Sequence, residues 1–323
     1  MDVVSIIIPC YRSEGTIEHV VESIRNVFEK ETEYDYQVVL VNDGSPDNTA
    51  QVIRTLCQKD SKVCGVDLTR NFGQEAARFA GMPYVCGKYV VYMDDDGQHD
   101  PADIFSMIKK IDEGYDVVFA ELQNRTGSIF KIVTSKLHQK IGELIGNMPK
   151  GIKLSSFIVC NRVIIDAMLQ YRSPFPTIGA YFLCVTTKFA NVKVSYHERE
   201  AGSSGYNLRR LLSLWLRSFT NFSIVPLRAA TLLGFLFAGV GGVVAVVSLI
   251  RKLLNPAILL GYTSIIASIY LVGGIMLLLL GLSGEYVGRI YMTVSDKPQY
   301  VIRSTINTSA QKNDVETKDE DKV

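Results

Sequence analysis

The sequence predicts an α/β protein: a mostly parallel β-sheet with helices on both faces, followed by a C-terminal two-helix transmembrane hairpin. Residues 3–120 alternate short β-branched runs with segments of helical apolar spacing, which is typical of a parallel sheet with covering helices. Two long uncharged apolar runs follow between residues 229 and 284. A length of 323 residues also favours about two domains.

Four strands and three helices are predicted in the first part of the chain. Val3–Ile8 is a continuous apolar run, as expected for a strand that is covered on both faces. Asn42–Asp47 is rich in turn-forming residues and supplies an N-cap for the helix that follows. The strands are predicted at Val3–Ile8, Gln37–Val41, Val63–Leu68 and Tyr89–Met93, and the helices at Thr16–Phe28, Thr49–Cys57 and Gln74–Val85.

The two apolar runs are predicted to cross a membrane. Ala229–Ile250 contains 22 uncharged residues and Leu253–Gly284 contains 32. A helix needs roughly 20 apolar residues to span a bilayer, so both runs are long enough. A tight turn at Arg251–Pro256 would join them. Core helices of a soluble protein are the alternative, which the length of both runs disfavours.

Basic residues predict that both termini lie in the cytoplasm, because loops rich in Lys and Arg stay on that side. We therefore expect a cytoplasmic α/β domain at 1–205, an amphipathic juxtamembrane helix at 206–228, two spans within 229–283, and a cytoplasmic segment at 284–323 that is disordered from Ser304 onward. The turn between the two spans contains only two basic residues, Arg251 and Lys252, whereas seven basic residues lie before the first span or after the second. These seven are Arg209, Arg210, Arg217, Arg228, Arg289, Lys297 and Arg303.

Composition excludes several classes of function. The net charge of +1 gives no general attraction to nucleic acid. The six cysteines form no C-x-x-C pair and no metal-binding spacing, which indicates small core residues in a reducing compartment. The N-terminus enters a strand directly, without the basic and apolar regions of a signal peptide.

The strongest local signal is the acidic stretch that follows the strand at Tyr89–Met93. Asp94 and Asp96 are two residues apart and Gln98 follows them, so all three can present oxygen atoms to one Mg²⁺ or Mn²⁺ ion. Ligands bind at the carboxyl ends of strands in open α/β sheets, which is where this stretch falls. The alternative is a solvated turn that caps a helix starting near Pro101.

The order of motifs resembles family 2 glycosyltransferases of the GT-A (Rossmann-like) fold. Two spans followed by Gly284–Tyr291 resemble the polyprenyl-phosphate group of that family, which includes the dolichyl-phosphate mannose synthase-like, GtrB-type and undecaprenyl-phosphate aminoarabinose transferases. The similarity covers nearly the whole chain up to about Arg303. The matching segments are Pro9–Glu14, Val41–Ser45, Arg70–Gln74, Asp94–Gln98, Tyr196–Tyr206 and Gly284–Tyr291.

The resemblance implies a set of residues that bind the nucleotide-sugar: Pro9, Tyr11, Glu14, Val41, Asp43, Asp94 and Asp95. It also implies that Asp94, Asp96 and Gln98 bind the Mg²⁺ or Mn²⁺ ion, and that Asp96 is a catalytic residue. Asp95 fills a slot that often holds a small residue, so a backbone contact or a solvated position is expected. Pro9 could instead simply end its strand, and Asp43 could simply cap the following helix.

One position departs from the family pattern. Family members carry a candidate general base where this chain has Ser156, and a Gly or Arg where it has Ile158. Loss of a base costs roughly 10²–10⁴-fold in rate when the acceptor is a sugar hydroxyl. A phosphate monoester, with a second pKa of about 6, is already largely dianionic at pH 7. Ser156 is therefore compatible with a lipid-phosphate acceptor.

Cationic and hydroxyl side chains near the membrane are the candidates for binding that phosphate: Arg125, Lys131, Arg199, Ser204 and Tyr206. Residues 128–141 form an amphipathic pattern of an interfacial helix, so Lys131 could equally contact anionic headgroups. For His99 and His197 we expect surface or hydrogen-bonding roles rather than metal binding.

The sequence thus predicts a metal-dependent, inverting transfer of one sugar from a nucleotide-sugar, with UDP favoured, to polyprenyl (undecaprenyl) phosphate at the cytoplasmic membrane. The resemblance also implies a homo-oligomer, since tetramers occur in the group. Two alternatives remain: a transferase that acts on a lipid-linked glycan, and a catalytically silent donor-binding subunit, suggested by Ser156.

Overall fold

A computed structural model describes residues 1–122, 151–171, 177–194, 262–295 and 298–308, together with scattered positions between 232 and 255. The chain divides into two compact units. One contains Met1–Ser204 and Lys297–Val323, and the other contains Gly205–Asp296.

The first unit is built on an eight-stranded sheet with the strand order β7-β5-β6-β4-β1-β2-β3-β8. The strands are β1 (Asp2–Cys10), β2 (Tyr34–Asn42), β3 (Val63–Leu68), β4 (Tyr89–Tyr92), β5 (Val117–Leu122), β6 (Ile158–Asn161), β7 (Phe189–Val194) and β8 (Ile302–Ile306). β1 pairs in parallel with β2 and β4, β2 with β3, and β5 with β7. β6 and β8 run antiparallel to their neighbours. The predicted mostly parallel sheet is confirmed.

The helices of this unit lie between the strands in sequence. They are α1 (Ile17–Phe28), α2 (Thr49–Lys59), α3 (Gln74–Gly81), α4 (Asp103–Asp112), α5 (Arg162–Met168) and α6 (Ile178–Val185). Each strand and helix predicted up to residue 93 is present, with ends that shift by a few residues. The largest shift is at the end of α3, where a 3-10 turn at Met82–Tyr84 replaces the last predicted helical turn.

Both faces of the sheet are covered, as predicted. Apolar side chains of α1, α2 and α4, such as Ile24, Ile53 and Ile104, pack with one face of the central strands. Side chains of α3, α5 and α6, such as Phe79, Ile165 and Phe182, pack with the other face. The central strands are therefore buried on both sides, which explains their continuous apolar sequences.

The strand order reverses at β1, which lies between β4 and β2. The chain moves from β1 outward through β2 and β3, and then returns to place β4 on the other side of β1. Such a switch point leaves a crevice at the carboxyl ends of the strands, and ligands of open α/β sheets bind there. The predicted donor and metal residues lie at the ends of β1 and β2 or in the loops that follow β1, β2 and β4 at this edge.

The expectation that the chain is disordered from Ser304 onward is wrong for its first residues. Ile302–Ile306 forms β8, which pairs antiparallel with β3 at the edge of the sheet. A bulge leaves Arg303 without a paired residue on β3. Ile306 packs on the α1/α2 side of the sheet and Ile302 on the α3 side. The bulge breaks the two-residue alternation that would have revealed a strand.

The second unit contains the helix α7 (Tyr262–Val294). Its segment Val272–Val294 is long and apolar enough to cross a membrane, and it is the one candidate span among the described residues. The helix continues past Gly284, where the second predicted span ends. The first predicted span falls mostly outside the described residues, so the two-helix hairpin stays a prediction.

Candidate active site

A cleft of about 230 Å³ lies at the carboxyl edge of the sheet, where the strand order reverses. It is lined by residues from the ends of β1 and β2, from the loop before α3, and from the loop after β4: Pro9, Cys10, Tyr11, Asp43, Asn71, Gly73, Gln74 and Asp95. Four of the predicted donor-binding residues, Pro9, Tyr11, Asp43 and Asp95, therefore line a common cleft. Tyr11 is 44% exposed, so its ring is accessible.

The loop after β1 is held by hydrogen bonds to the segment after β2. The N–H of Arg12 donates to the Ser45 hydroxyl at 2.7 Å, and Arg12 adopts a positive φ of 59°. The predicted donor residue Glu14 accepts the Asn48 N–H at 2.9 Å. Glu14 is exposed and outside the residues that line the cleft. Its observed role is to join these two loops.

Asp95 connects the loop after β4 to the loop after β1. Its carboxylate accepts hydrogen bonds from the Ser13 hydroxyl and from the N–H of Tyr11. Burial raises the pKa of the Asp95 carboxyl, and these two hydrogen bonds act against that rise. Of the two positions expected for Asp95, a backbone contact or a solvated one, the structure shows a contact with the backbone N–H of Tyr11.

Asp43, at the end of β2, holds the loop that precedes α3. Its two oxygens accept the N–H groups of Phe72 at 2.7 Å and Gly73 at 2.9 Å. The side chain is 2% exposed, and burial raises the pKa of the carboxyl although both hydrogen bonds favour the charged form. Asp43 therefore does not cap α2. At the start of α2, the Asp47 carboxylate accepts the Thr49 N–H at 3.3 Å instead.

Gly44 allows these two loops to approach closely. It adopts a positive φ of 58°, and a Cβ atom at this position would lie 2.7 Å from the Cα atom of Arg70. Only glycine combines this backbone conformation with the absence of a side chain. The approach places Asn71 and Gly73 beside Asp43 in the cleft wall.

Asp94, the first carboxylate after β4, is already paired. Its Oδ1 atom accepts from Arg78 Nη2 at 2.8 Å and from Gln74 Nε2 at 2.7 Å. Burial favours the neutral acid, but the Arg78 charge, the nearby His99 and these hydrogen bonds together lower the pKa of Asp94 below its usual value.

Arg78 is the important residue that the sequence analysis missed. Its side chain is 4% exposed and contacts Asp94, the Glu75 carboxylate at 3.2 Å and the Ser156 carbonyl at 3.4 Å. The other oxygen of Glu75 accepts the N–H of Ile178, at the start of α6, at 2.7 Å. The signal was an arginine between small apolar residues of α3, because a fully buried arginine requires a partner.

Ser156, at the position of the family's general base, lies next to Asp94 and Arg78. The next side chain, Phe157, is buried and stacks on His99 with ring centroids 4.8 Å apart. His99 is buried and accepts the Asp94 N–H at Nδ1, at 3.3 Å. The expected hydrogen-bonding role of His99 is thus confirmed, and its surface position is not.

The remaining predicted metal residues are Asp96 and Gln98. Both are half-buried, and Asp96 Oδ1 accepts the Gln98 N–H at 3.2 Å in a turn formed by Gly97 with φ of 72°. Within the described residues, no three His, Cys, Asp or Glu side chains are placed to bind one metal ion. Mg²⁺ needs only one or two protein carboxylates when substrate phosphates supply the other oxygens, so Asp96 and Gln98 fit such a site.

The other predicted residues are placed as follows. Val41 is fully buried and packs in the core on the α3 face of the sheet, outside the residues that line the cleft. The phosphate candidates Arg125, Lys131, Arg199, Ser204 and Tyr206 lie outside the described residues, as do His197 and the predicted helices at 128–141 and 206–228.

The sheet order and the cleft at its switch point define a GT-A-like α/β domain. A profile of the family described as Glycosyl transferase family 2 matches residues 5–172, which include every described residue of the cleft. The chain belongs to this family and is a family 2 glycosyltransferase enzyme.

Curated relatives match the chain over nearly its whole length. The uncharacterized glycosyltransferase YkcC of Bacillus subtilis (strain 168) is 33% identical over 302 residues, which are 93% of each chain. The undecaprenyl-phosphate 4-deoxy-4-formamido-L-arabinose transferase of Proteus mirabilis (strain HI4320) is 32% identical over 314 residues, which are 94% of each chain.

A solved structure confirms the fold class. Glucosyl-3-phosphoglycerate synthase from Mycobacterium tuberculosis, in complex with phosphoglyceric acid, matches with a TM-score of 0.50 and 18% identity, over 67% of this chain and 77% of that chain. The same synthase has a structure with Mn²⁺, UDP-glucose and phosphoglyceric acid, which matches with a TM-score of 0.47 and 20% identity over 67% and 76% of the chains. At this identity, the likeness of the first structure shows the fold alone.

Proposed function

We propose that this enzyme transfers one sugar from a nucleotide-sugar, with a UDP-sugar as the favoured donor, to polyprenyl phosphate at the cytoplasmic face of the membrane. The observation that carries the proposal is the cleft at the switch point, with Asp43 and Tyr11 on one side and the Asp94–Gln98 turn beside it. The name of the Proteus mirabilis relative supports the acceptor, because similarity to it covers 94% of both chains.

The cleft is suited to a base and a ribose. Tyr11 presents an exposed ring on which a base can pack, and the Asp43 carboxylate can accept a further hydrogen bond from a base N–H or a ribose hydroxyl. Burial of Asp43 and its two backbone N–H donors fix the carboxylate in one orientation. A planar pyrimidine with an N–H donor is therefore the base that we propose.

The diphosphate of the donor would lie beside the turn after β4. We propose that Asp96 and Gln98 hold a divalent cation there, Mg²⁺ or Mn²⁺, which would neutralise the negative charge that develops on the leaving diphosphate. The chain itself contributes the turn at Gly97, which keeps Asp96 and Gln98 together through the hydrogen bond between them.

The acceptor is proposed to be a phosphate monoester because Ser156 cannot act as the usual carboxylate base. A phosphate oxygen attacks the anomeric carbon and forms the new bond. The bond from that carbon to the diphosphate oxygen breaks, and its electron pair stays on the departing nucleoside diphosphate. A dianionic phosphate has no proton to give up in this step, so positioning replaces general-base catalysis.

The sequence supplies the acceptor site and the membrane topology of this proposal. Arg125, Lys131 and Arg199 would bind the lipid phosphate, with Ser204 and Tyr206 as hydroxyl donors. The two spans within 229–283 would place the catalytic domain and both termini in the cytoplasm, and the candidate span in α7 supports the second of them. The product would be a polyprenyl monophosphate sugar, used for cell-envelope glycans.

The test is transfer by the purified full-length chain in detergent or bilayer discs. It is incubated with Mg²⁺, undecaprenyl phosphate and a panel of nucleotide-sugars, and the lipid product is read by mass spectrometry. We expect one sugar per lipid phosphate, inhibition by EDTA, and a loss of activity in Asp96→Asn. Glu113→Gln, an exposed acidic position at the end of α4, is the matched control and should retain activity.

Two results would contradict the proposal. Transfer to a glycan acceptor in the absence of lipid phosphate would identify a glycan-directed transferase. Binding of nucleotide and metal without any product across the donor panel would identify a silent donor-binding subunit.

A further inference from the structure

The C-terminal segment at β8 binds both backbone groups of Thr69, the residue that follows β3. The N–H of Thr69 donates to the Val301 carbonyl at 3.0 Å, and the Thr69 carbonyl accepts from Arg303 Nη2 at 2.9 Å. Thr69 is also the last residue before the loop 70–73, which leads into α3 and forms part of the cleft wall. A segment more than 200 positions away in the chain thus holds the base of this loop.

We propose that Arg303 is a positioning residue for the nucleotide-sugar, because it fixes two of the loops that form the cleft. Among the described residues, Arg303 is not one of those that line the cleft, so its action on the donor is indirect. The inference rests on the proposed function, since it concerns the donor pocket of that function.

The bulge in β8 gives Arg303 its position. Ser304 pairs with Asp67 and Ile302 pairs with Leu68, which leaves Arg303 as the extra residue of the strand. A bulge bends its strand and redirects a side chain, and bulges are frequent next to active sites. Here the guanidinium reaches the backbone one residue beyond the last residue of β3.

The first connection to the cleft runs along the chain from Thr69. Asn71 and Gly73 line the cleft and lie within four positions of Thr69. The Gly73 N–H in turn donates to the Asp43 carboxylate at 2.9 Å. A few planar peptide units leave little slack between Thr69 and these groups. A displacement of Thr69 is therefore expected to displace the cleft wall.

The second connection runs through side chains. Arg303 Nε forms an ion pair with Asp67 Oδ2 at 4.0 Å, and Asp67 Oδ1 accepts Asn42 Nδ2 at 2.6 Å. Asn42 Oδ1 accepts the N–H of Ser45 at 3.1 Å. Asn42 is 4% exposed, and a buried amide of this kind requires its hydrogen-bond partners. The network joins Arg303 to the loop after β2, which begins with Asp43.

The exposure of Arg303 separates positioning from stability. Its side chain is 61% exposed, so its ion pair with Asp67 contributes little to the free energy of unfolding. A loop that is already ordered loses less entropy when a ligand binds, which increases the affinity for that ligand. We therefore expect removal of Arg303 to reduce donor affinity more than it reduces stability.

The experiment measures UDP binding to the full-length chain by calorimetry in the presence of Mg²⁺, together with thermal unfolding. Arg303→Ala should weaken UDP binding by about 3–10-fold. Asn307→Ala is the matched control, because Asn307 secures the other end of β8 through the carbonyls of Cys57 and Val63. It should unfold at a lower temperature than Arg303→Ala and still bind UDP within about twofold of wild type.

Two further variants separate the charge of Arg303 from its contact with Thr69. Arg303→Lys keeps a cation and a donor, so it should bind UDP more tightly than Arg303→Ala. Asp67→Asn removes the ion pair while its amide oxygen can still accept from Asn42. Asp67→Asn should therefore weaken UDP binding less in the Arg303→Ala background than in wild type.

Unchanged UDP affinity in Arg303→Ala, with a wild-type chain that binds UDP, would overturn the inference and leave the proposed function intact. A loss of affinity in Asn307→Ala as large as that in Arg303→Ala would also overturn it, because UDP binding would then follow the stability of β8 as a whole. Absence of UDP binding by the wild-type chain would instead contradict the proposed UDP-sugar donor itself.

Discussion

The backbone N–H of Gly73 donates a hydrogen bond of 2.9 Å to the carboxylate of Asp43. The two residues lie 30 positions apart in the sequence, one at the end of β2 and the other at the start of α3. Since both line the cleft, this contact sets the distance between two of its walls. Asp43 therefore shapes the cleft in addition to its proposed role in binding the donor.

Asp43→Ala should destabilise the domain and weaken donor binding together. Hydrogen bonds to charged groups contribute about 1.5–3 kcal/mol each, and Asp43 accepts two of them, so a loss of about 3 kcal/mol or more is expected. Thermal unfolding and calorimetric binding of UDP to the full-length chain measure the two effects. Unchanged stability with lost UDP affinity would show that Asp43 acts on the donor alone.

Ser156→Ala should retain most of the transferase activity. Asp94 is paired with Arg78, and that ion pair stays in place when the Ser156 hydroxyl is removed. We expect a change below about tenfold in the rate of sugar transfer, whereas the loss of a general base would cost about 10²–10⁴-fold. A loss in the larger range, in a variant that unfolds at the wild-type temperature, would contradict the role proposed for the phosphate acceptor.

Asp60 should contribute to stability in a pH-dependent way. Burial favours its neutral form, but the Lys62 N–H, the Tyr36 hydroxyl at 2.9 Å and Arg25 at 3.1 Å together lower the pKa of its carboxyl. A carboxyl whose pKa is lowered by folding stabilises the protein above its unfolded value, here 3.8, and loses that contribution as the pH falls through its folded value.

Asp60→Asn should therefore lower the unfolding temperature at pH 7 and flatten its fall below about pH 4. Unfolding of the wild type and the variant, followed between pH 3 and pH 7 on the same preparation, measures this. Parallel curves for the two proteins would contradict the prediction.

Asn307 should secure the edge strand β8. Its amide donates to the carbonyls of Cys57 at 2.6 Å and Val63 at 3.0 Å, and its backbone has a positive φ of 55°. Asn307→Gly loses the hydrogen bonds, at about 0.5–1.5 kcal/mol each. Asn307→Ala loses them too and adds about 1–2 kcal/mol of backbone strain.

The measurement is the unfolding temperature of the two variants. Both should unfold below wild type, and Asn307→Ala should unfold below Asn307→Gly. The reverse order would show that the backbone conformation at this position carries no strain.

The donor side of the site was accessible from sequence because its residues lie at the ends of strands or directly after them. The carboxyl ends of parallel strands lie at one edge of a sheet, so Pro9, Asp43 and Asp95 could be expected to meet once their strands were recognised. Local apolar patterns identify those strands, and a turn such as Asp94–Gln98 depends only on neighbouring residues.

The role of Arg78 required the tertiary structure. Its partners Asp94 and Ser156 lie on different elements, 16 and 78 positions away along the chain. No local pattern encodes such a contact, because the partner of a buried charge is chosen by how α3 packs on the sheet.

The same distinction applies to the chain as a whole. Sequence alone determined the alternation of strands and helices, the apolar run within α7 and the acidic turn, since each depends on residues that are close along the chain. Only the tertiary structure decided that β8 completes the sheet and that Asp94 is neutralised by an arginine. Both depend on long-range contacts, in which the free energy of burying a group is set by distant residues that fold around it.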